Sequence, residues 1–197
     1  MSNYTKALDE SMATLATLRQ LEDAVARCAD RCLATLRRGG KLMICGNGGS
    51  AAEAMHLTGE LVGRYKTERS PLAAITLGTD PVVASCIGND YRFEDGLSRQ
   101  VRALGRDGDL LVVFSTSGRS ANILEAMRAA REAEIATIAF LGRDGGPALT
   151  LADEALVVRH TDTARIQEGH QFLMHSLMDI LEAAIAQDSA GADTHPR

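Results

Sequence analysis

The chain has 197 residues and a formal net charge of −5, with 45% apolar and 24% charged residues, a composition typical of a soluble globular protein. An acidic chain is a poor candidate for coating nucleic acid or an anionic membrane. Aromatic residues make up only 4% and tryptophan is absent, which argues against stacking platforms for bases or sugar rings.

No apolar run reaches the roughly 20 residues that a membrane-spanning helix needs, and the polar, amphipathic N-terminus does not resemble a secretory signal. None of the four cysteines forms a CxxC pair; they are Cys28, Cys32, Cys45 and Cys86. Their positions favour small core residues in a reducing compartment. The sequence therefore predicts a cytoplasmic protein without a membrane or nucleic acid partner.

The apolar pattern predicts N-terminal helices over residues 4–38, ended by two glycines, and then strands that alternate with helices. Strands are predicted at residues 41–45, 73–77, 109–114, 136–141 and 155–158. Helices are predicted from residue 51 and at residues 80–86, 97–103, 121–133 and 167–186, with a break at residues 88–90. This alternation favours a parallel sheet covered on both faces. We expect one domain over residues 1–197, with helices at 1–38 and a frayed tail at 188–197.

Two turns join a predicted strand to a predicted helix, which is the ligand edge of a parallel α/β sheet. The turn at residues 115–120 carries four hydroxyls beside a glycine, those of Ser115, Thr116, Ser117 and Ser120. Hydroxyls and the free N–H groups of a helix N-terminus suit a phosphate. The alternative is a set of ordinary N-cap serines.

The other turn, residues 46–49, is rich in glycine but matches neither common nucleotide motif. Its glycines are not spaced as GxGxxG, and no GK[ST] follows. The glycines are better suited to letting the backbone approach a small polyhydroxylated ligand.

Two predicted helices carry residues of the types that bind metals. His56 and Glu60 are four residues apart, and Gln167 and His175 are eight apart, so each pair shares a helix face. Two nitrogen donors, a carboxylate and an amide oxygen form a possible zinc set. The alternative is a polar helix face or a subunit contact, and His170 lies between the two members of the second pair.

Four segments together resemble the phosphoheptose isomerases, which belong to the sugar isomerase (SIS) domain family. They are GNGGSAAEAMHLTGELVGRY, GND at residues 88–90, STSGRSANIL and RIQEGHQFLMHSL. The resemblance implies a three-layer α/β sandwich: a flavodoxin-like parallel five-stranded sheet with helices on both faces and an N-terminal helical extension. It also implies a homotetramer with active sites near subunit interfaces.

The implied activity is an aldose–ketose isomerisation of D-sedoheptulose 7-phosphate to D-glycero-D-manno-heptose 7-phosphate, the first step of nucleotide-activated heptose synthesis, most often for lipopolysaccharide. By resemblance, the phosphate is held by Ser115, Thr116, Ser117 and Ser120. The sugar is assigned to Asn47, Gly48, Gly49, Glu60, Asn89, Asp90 and Gln167. One Zn²⁺ per subunit is assigned to His56, Glu60, Gln167 and His175.

Moving a carbonyl between neighbouring carbons requires a proton to leave one carbon and return to the other through an enediol. We expect Glu60 to be the base and His175 the acid. The metal and base roles of Glu60 compete, because a carboxylate bound firmly to zinc is a poor base. Arg64 either contacts a phosphate or pairs with Glu60 as its i, i+4 neighbour.

Three other functions remain open at this point. Some relatives are non-catalytic tetrameric scaffolds that bind the replication initiator, but these tend to lose the residues at the positions of Glu60 and His175, which are both present here. Others are phosphosugar-sensing regulators, which usually carry a basic DNA-binding domain. The third possibility is a different phosphosugar isomerase with the same mechanism.

Overall fold

The computed structural model describes residues 2–192. The strands in this range are β1 Leu42–Cys45, β2 Ala74–Thr76, β3 Leu110–Ser115, β4 Ala136–Gly142 and β5 Glu154–Val158. The α-helices in it are α1 Asn3–Thr17, α2 Glu22–Arg37, α3 Gly49–Val62, α4 Pro81–Asp90, α5 Asp95–Leu104, α6 Ala121–Glu132, α7 Ala148–Leu151 and α8 Thr163–Ala192. A short 3-10 helix joins α1 to α2.

The strands form one parallel sheet in the order β2-β1-β3-β4-β5. This is the flavodoxin-like order, and its direction reverses between β1 and β3. Ligands of such sheets bind at the carboxyl ends of the strands beside the reversal. The turns that follow β1 and β3 are residues 46–49, called here the glycine turn, and residues 115–120, called the serine turn.

Helices cover both faces of the sheet, because alternate side chains of the central strands enter two separate cores. Leu42 and Ile44 of β1 pack in the core formed with α2, α3 and α8. Met43 and Cys45 pack in the other core, formed with α5, α6 and α7. Fully buried strands with apolar residues on both faces are what a covered parallel sheet requires. The predicted three-layer α/β fold is confirmed.

The N-terminal helices are integral to one layer. Helix α2 places Val25, Cys28 and Cys32 in the core beneath α8, and α1 packs along α8. In the range that the structure describes, no helix is long and apolar enough to cross a membrane.

Two helices extend several residues beyond their predicted C-terminal ends. Helix α4 continues to Asp90, through the predicted break at residues 88–90, because one glycine weakens a helix without ending it. Asp80 caps it by accepting hydrogen bonds from the N–H groups of Val82 and Val83. Helix α8 extends to Ala192, beyond the predicted end at Ala186 and into the predicted tail, of which residues 193–197 lie outside the described residues.

A buried carboxylate on α8 anchors the loop that follows α3. Glu182 accepts hydrogen bonds from the backbone N–H groups of Tyr65, Lys66 and Thr67. It also lies 3.4 Å from Arg69, whose guanidinium donates to the carbonyl oxygen of Glu60. These contacts fix the C-terminal end of α3 against α8. Burial alone would raise the pKa of Glu182, but the N–H donors, Thr67 first, outweigh burial and hold that pKa below its usual value.

Glu182→Gln should lower the free energy of unfolding by about 1–3 kcal/mol at neutral pH, because buried donors lose a charged acceptor. A carboxylate whose pKa is depressed by folding stabilises the protein above its unfolded pKa of about 4.3, and the contribution is lost as pH falls through the folded pKa. The difference between wild type and variant should therefore shrink below about pH 4.3. Urea unfolding across this range measures it, with the exposed Glu68→Gln as control. A stability difference between wild type and Glu182→Gln that stays constant with pH would show that the Glu182 carboxylate is not charged and hydrogen-bonded in the folded protein.

The cysteines give a second test of the packing. Burial raises the pKa of the Cys28 thiol to about 12 and that of the Cys45 thiol to about 12, and Cys32 is also fully buried. A buried thiol that stays protonated reacts slowly with alkylating reagents. Alkylation of the native protein followed by peptide mass spectrometry should modify Cys86, which is exposed. The other three should react only after unfolding; rapid labelling of any of them in native protein would contradict this packing.

Candidate functional site

The serine turn lies between β3 and the N-terminus of α6. Ser115 Oγ accepts a hydrogen bond from Gly118 N, and Ser117 Oγ accepts one from Arg119 N. Ser120 is the N-cap residue of α6, yet its side chain makes no capping hydrogen bond. The Ser120 hydroxyl therefore remains available to a ligand at this helix N-terminus, where an anion is favoured.

Gly118 gives the serine turn its shape. Its φ is +62°, and a Cβ there would lie 1.9 Å from the carbonyl oxygen of Gly145. The turn can therefore fold against the loop after β4 only with glycine at this position.

A pair of amides joins the serine turn to the glycine turn. Asn47 Nδ2 donates to Asn122 Oδ1 at 2.9 Å, and Asn122 Nδ2 donates back to Asn47 Oδ1 at 2.8 Å. Asn122 is buried in the first turn of α6. A cavity of about 50 Å³ lies beside this pair, lined by Asn47, Ser50, Phe114, Ser115, Thr116 and Ser120. The sequence reasoning missed Asn122, although an Asn just inside a helix that follows a ligand turn is a usable signal.

Other predicted sugar contacts lie apart from this cavity. Asn89 and Asp90 are at the C-terminal end of α4, where the Asn89 amide donates to Asp90 Oδ1 at 2.7 Å. Arg64 is exposed, and among the described residues it forms no ion pair with Glu60. The expected alternative of an i, i+4 pair between them is therefore not realised.

Helices α3 and α8 pack side by side along four pairs of residues, called here the α3–α8 seam. The pairs are Gly49 with Gln167, Glu53 with His170, His56 with Gln171, and Glu60 with His175. The residue numbers rise together, so the two helices run parallel. The seam begins at the glycine turn and ends at Glu60, eleven residues or about 16 Å along α3.

The first pair of the seam depends on glycine. A Cβ on Gly49 would lie 2.4 Å from Gln167 Nε2, so the bare backbone of Gly49 is what admits the amide of Gln167. Gln167, predicted to bind both sugar and metal, thus lies at the glycine turn and faces the start of α3. It is eight residues, or about 12 Å, along α8 from His175, so within this chain it does not join the other three predicted metal ligands.

The second pair is fully inside the protein. His170 is 0% exposed; its Nε2 donates to the carbonyl oxygen of Leu141 at 3.0 Å, and its Nδ1 lies 3.7 Å from Glu53 Oε2. The ring also packs edge-on against Phe114 and Phe140. His170 therefore ties α8 to β4 and α3, and is separate from the cluster described next.

The seam ends in a His/Glu cluster formed by His56, Glu60 and His175. Glu60 Oε1 lies 3.0 Å from His56 Nε2 and 3.3 Å from His175 Nε2. The other carboxylate oxygen, Glu60 Oε2, is buried and has no hydrogen-bond partner. The two oxygens of one carboxylate therefore have different surroundings.

Two further residues contact this cluster and were not predicted. Gln171 Nε2 lies 2.9 Å from His56 Nδ1 and 2.9 Å from His175 Nε2. The Tyr65 ring stacks on the His175 ring, with centroids 5.6 Å apart. Gln171 precedes His175 by four residues, or one helical turn. The same i, i+4 spacing that pairs His56 with Glu60 is therefore a sequence signal for Gln171.

The cluster fits a divalent metal ion. One ligand atom from each of its three residues lies within 4.8 Å of the others. Ligand atoms about 2.1 Å from a tetrahedral zinc ion are about 3.4 Å apart, close to the 3.0 and 3.3 Å that separate Glu60 Oε1 from the histidine nitrogens. Two imidazoles and a carboxylate are also a donor set that zinc accepts.

Comparison with known proteins identifies the family of this chain. The SIS domain family matches residues 3–142. A phosphoheptose isomerase from Campylobacter jejuni is 48% identical over 162 residues, which are 82% of this chain and 87% of that protein.

Solved structures give the same result. The phosphoheptose isomerase from Neisseria gonorrhoeae has a TM-score of 0.87 and 42% identity, covering 91% of this chain and 97% of that one. A phosphoheptose isomerase from Francisella tularensis also has a TM-score of 0.87, at 35% identity, covering 92% of this chain and 98% of that one. The chain therefore belongs to the SIS domain family and, within it, to the phosphoheptose isomerases.

Proposed function

We propose that this protein is an aldose–ketose isomerase that converts D-sedoheptulose 7-phosphate to D-glycero-D-manno-heptose 7-phosphate, in heptose biosynthesis. The observation that carries the proposal is the divided environment of Glu60: Oε1 faces two histidines, while Oε2 is buried and unpartnered. A catalytic base needs a lone pair that no hydrogen bond occupies, and among the described residues that of Oε2 is unoccupied.

The substrate has a phosphate at one end and its carbonyl near the other. The serine turn, with the free Ser120 hydroxyl and the N-terminus of α6, suits the phosphate. The glycine turn, with Gly48, Gly49 and the Gln167 amide beside them, suits the sugar hydroxyls. Asn47 reaches the same edge through its pairing with Asn122.

Glu60 Oε2 takes a proton from C1 of the ketose and returns it to C2. In the first half of the reaction O2 gains a proton, giving the enediol; in the second half O1 loses one, giving the aldose. His175 serves these oxygens as the acid, and the Tyr65 ring stacked on it fixes the plane of its imidazole.

The same residues would hold one Zn²⁺ per subunit, through His56, Glu60 Oε1 and His175. Gln167, the fourth predicted ligand, lies against Gly49 at the other end of the seam. A bound zinc ion would polarise the substrate carbonyl and so acidify the neighbouring C–H. The division of Glu60 removes the conflict between its two roles, because Oε1 belongs to the cluster and Oε2 remains free for the proton. At His175 the two roles compete, since a ring nitrogen that binds the ion carries no proton.

We also propose a homotetramer in the cytoplasm. Large apolar side chains are exposed on α1 and α8, including Met12 at 60% and Phe172 at 51%, and such surfaces are typical of subunit contacts. The four cysteines are free, in agreement with a reducing compartment. The alternative of a non-catalytic scaffold for the replication initiator is not favoured, because the His/Glu cluster is intact.

Glu60→Gln should lower kcat by about 10²- to 10⁴-fold, the usual contribution of a general base. A coupled assay with sedoheptulose 7-phosphate measures turnover, and thermal unfolding checks that the fold is kept. The exposed Glu68→Gln is the matched control and should retain wild-type rates. Turnover of Glu60→Gln within a few-fold of wild type would exclude Glu60 as the base.

Removal of metal gives a separate test. Treatment with a chelator, followed by metal analysis, should lower kcat by about 10²-fold or more, since carbonyl polarisation is worth several kcal/mol. Added Zn²⁺ should restore the rate at one ion per subunit. Full activity in protein shown to be metal-free would remove zinc from the mechanism and leave the Glu60 assignment standing.

A further inference from the structure

We propose that Gln171 is a positioning residue of the His/Glu cluster. Its side-chain amide joins the His56 and His175 rings in the metal-free protein and, through His56 Nδ1, sets the tautomer in which His56 meets a metal ion. The inference rests on the proposal that the cluster binds zinc. Gln171 is not among the ligands that the family resemblance assigns, which are His56, Glu60, Gln167 and His175.

The geometry places one amide between two rings that come from different helices. Gln171 and His175 are on the same face of α8, one turn apart, while His56 is on α3. The amide nitrogen is 2.9 Å from a ring nitrogen of each histidine. Glu60 Oε1 also lies near both rings, at their Nε2 atoms, whereas Gln171 reaches His56 at its other ring nitrogen, Nδ1.

The amide determines which nitrogen of His56 carries the proton. An amide nitrogen only donates, so His56 Nδ1 accepts and the proton is on Nε2, from which it is donated to Glu60 Oε1 at 3.0 Å. In this state Gln171 donates to both His56 Nδ1 and His175 Nε2, and His56 donates to Glu60. His175 Nε2 accepts from Gln171 and therefore does not donate to Glu60 Oε1.

The same side chain also fits the state in which His56 binds a cation through Nε2. That state requires the proton on Nδ1, and a ligating histidine almost always donates its other N–H to an acceptor. The two ends of an amide exchange places by rotation about one bond. With its oxygen turned toward His56, Gln171 accepts the Nδ1 proton and stabilises the tautomer that binds the metal.

Gln167 does not perform this task in the structure. Its amide lies against Gly49 at the start of α3, one turn before Gln171. The two glutamines therefore have separate roles along one helix face: Gln167 faces the glycine turn, and Gln171 faces the histidines.

The test is the Zn²⁺ affinity of the full chain, measured by competition with a chromophoric chelator. Gln171→Met keeps most of the side-chain volume but removes both hydrogen bonds, and should weaken zinc binding by about 10- to 100-fold, the usual effect of losing an orienting partner. Gln171→Glu keeps an acceptor in the same place. Its zinc affinity should be no more than about threefold weaker than that of the wild type. Gln187→Met, on an exposed face of the same helix, is the control and should be unchanged. Wild-type affinity in Gln171→Met would overturn the proposal.

A second experiment uses metal-free protein. Its wild-type spectrum tests the tautomer of His56 even if one variant fails to fold. Long-range ¹H–¹⁵N spectra of the wild type should show His56 as a single tautomer with its proton on Nε2, and Gln171→Met should show a mixture. A mixture in the wild type would overturn the proposal. Wild-type protein that binds no zinc would instead contradict the metal assignment, and the spectra would still test the hydrogen bonds of Gln171.

Discussion

The parallel packing of α3 against α8 is the constraint on which the site depends. The two helices are far apart in the sequence, and neither carries a complete set of catalytic groups. Their contact is built from unlike pairs: a glycine that admits an amide, a buried carboxylate near a buried histidine, and finally the His/Glu cluster. Because each pair fixes the register of the next, a shift of one helical turn would separate Glu60 from both His56 and His175.

The anchors at the two ends of the seam explain how that register is kept. Near its start, His170 bonds the carbonyl oxygen of Leu141 and so ties α8 to the sheet. Beyond its end, Glu182 and Arg69 tie α8 to the last carbonyl groups of α3. The same Glu182 holds the backbone of Tyr65, whose ring stacks on His175. Buried polar groups are costly unless they are paired. The hydrogen bonds of Glu182 and of His170 Nε2 hold the elements that carry the groups of the His/Glu cluster.

Much of this arrangement follows from local sequence. The alternation of strands and helices predicts the sheet, and the glycine and serine turns are recognisable because each follows an apolar strand. The spacing of His56 and Glu60 places both on one helix face. What local sequence does not contain is the register between α3 and α8, which is a tertiary quantity. Gln167 and Gln171 lie on the same face of α8 as His175, so the sequence does not distinguish them. In the structure, Gln167 packs against Gly49 and Gln171 contacts His56. Likewise, Gly88 predicts a helix break, but the cap at Asp80 and the burial of Ile87 carry α4 through it.

The central claim is that the two oxygens of Glu60 have separate tasks. A crystal structure of the protein with zinc and sedoheptulose 7-phosphate, with anomalous diffraction to locate the metal, tests it most directly. We expect the ion to contact His56 Nε2, His175 Nε2 and Glu60 Oε1, with Glu60 Oε2 directed at C1 and C2 of the sugar. An ion that engages both oxygens of Glu60, or that lies away from this cluster, would contradict the account.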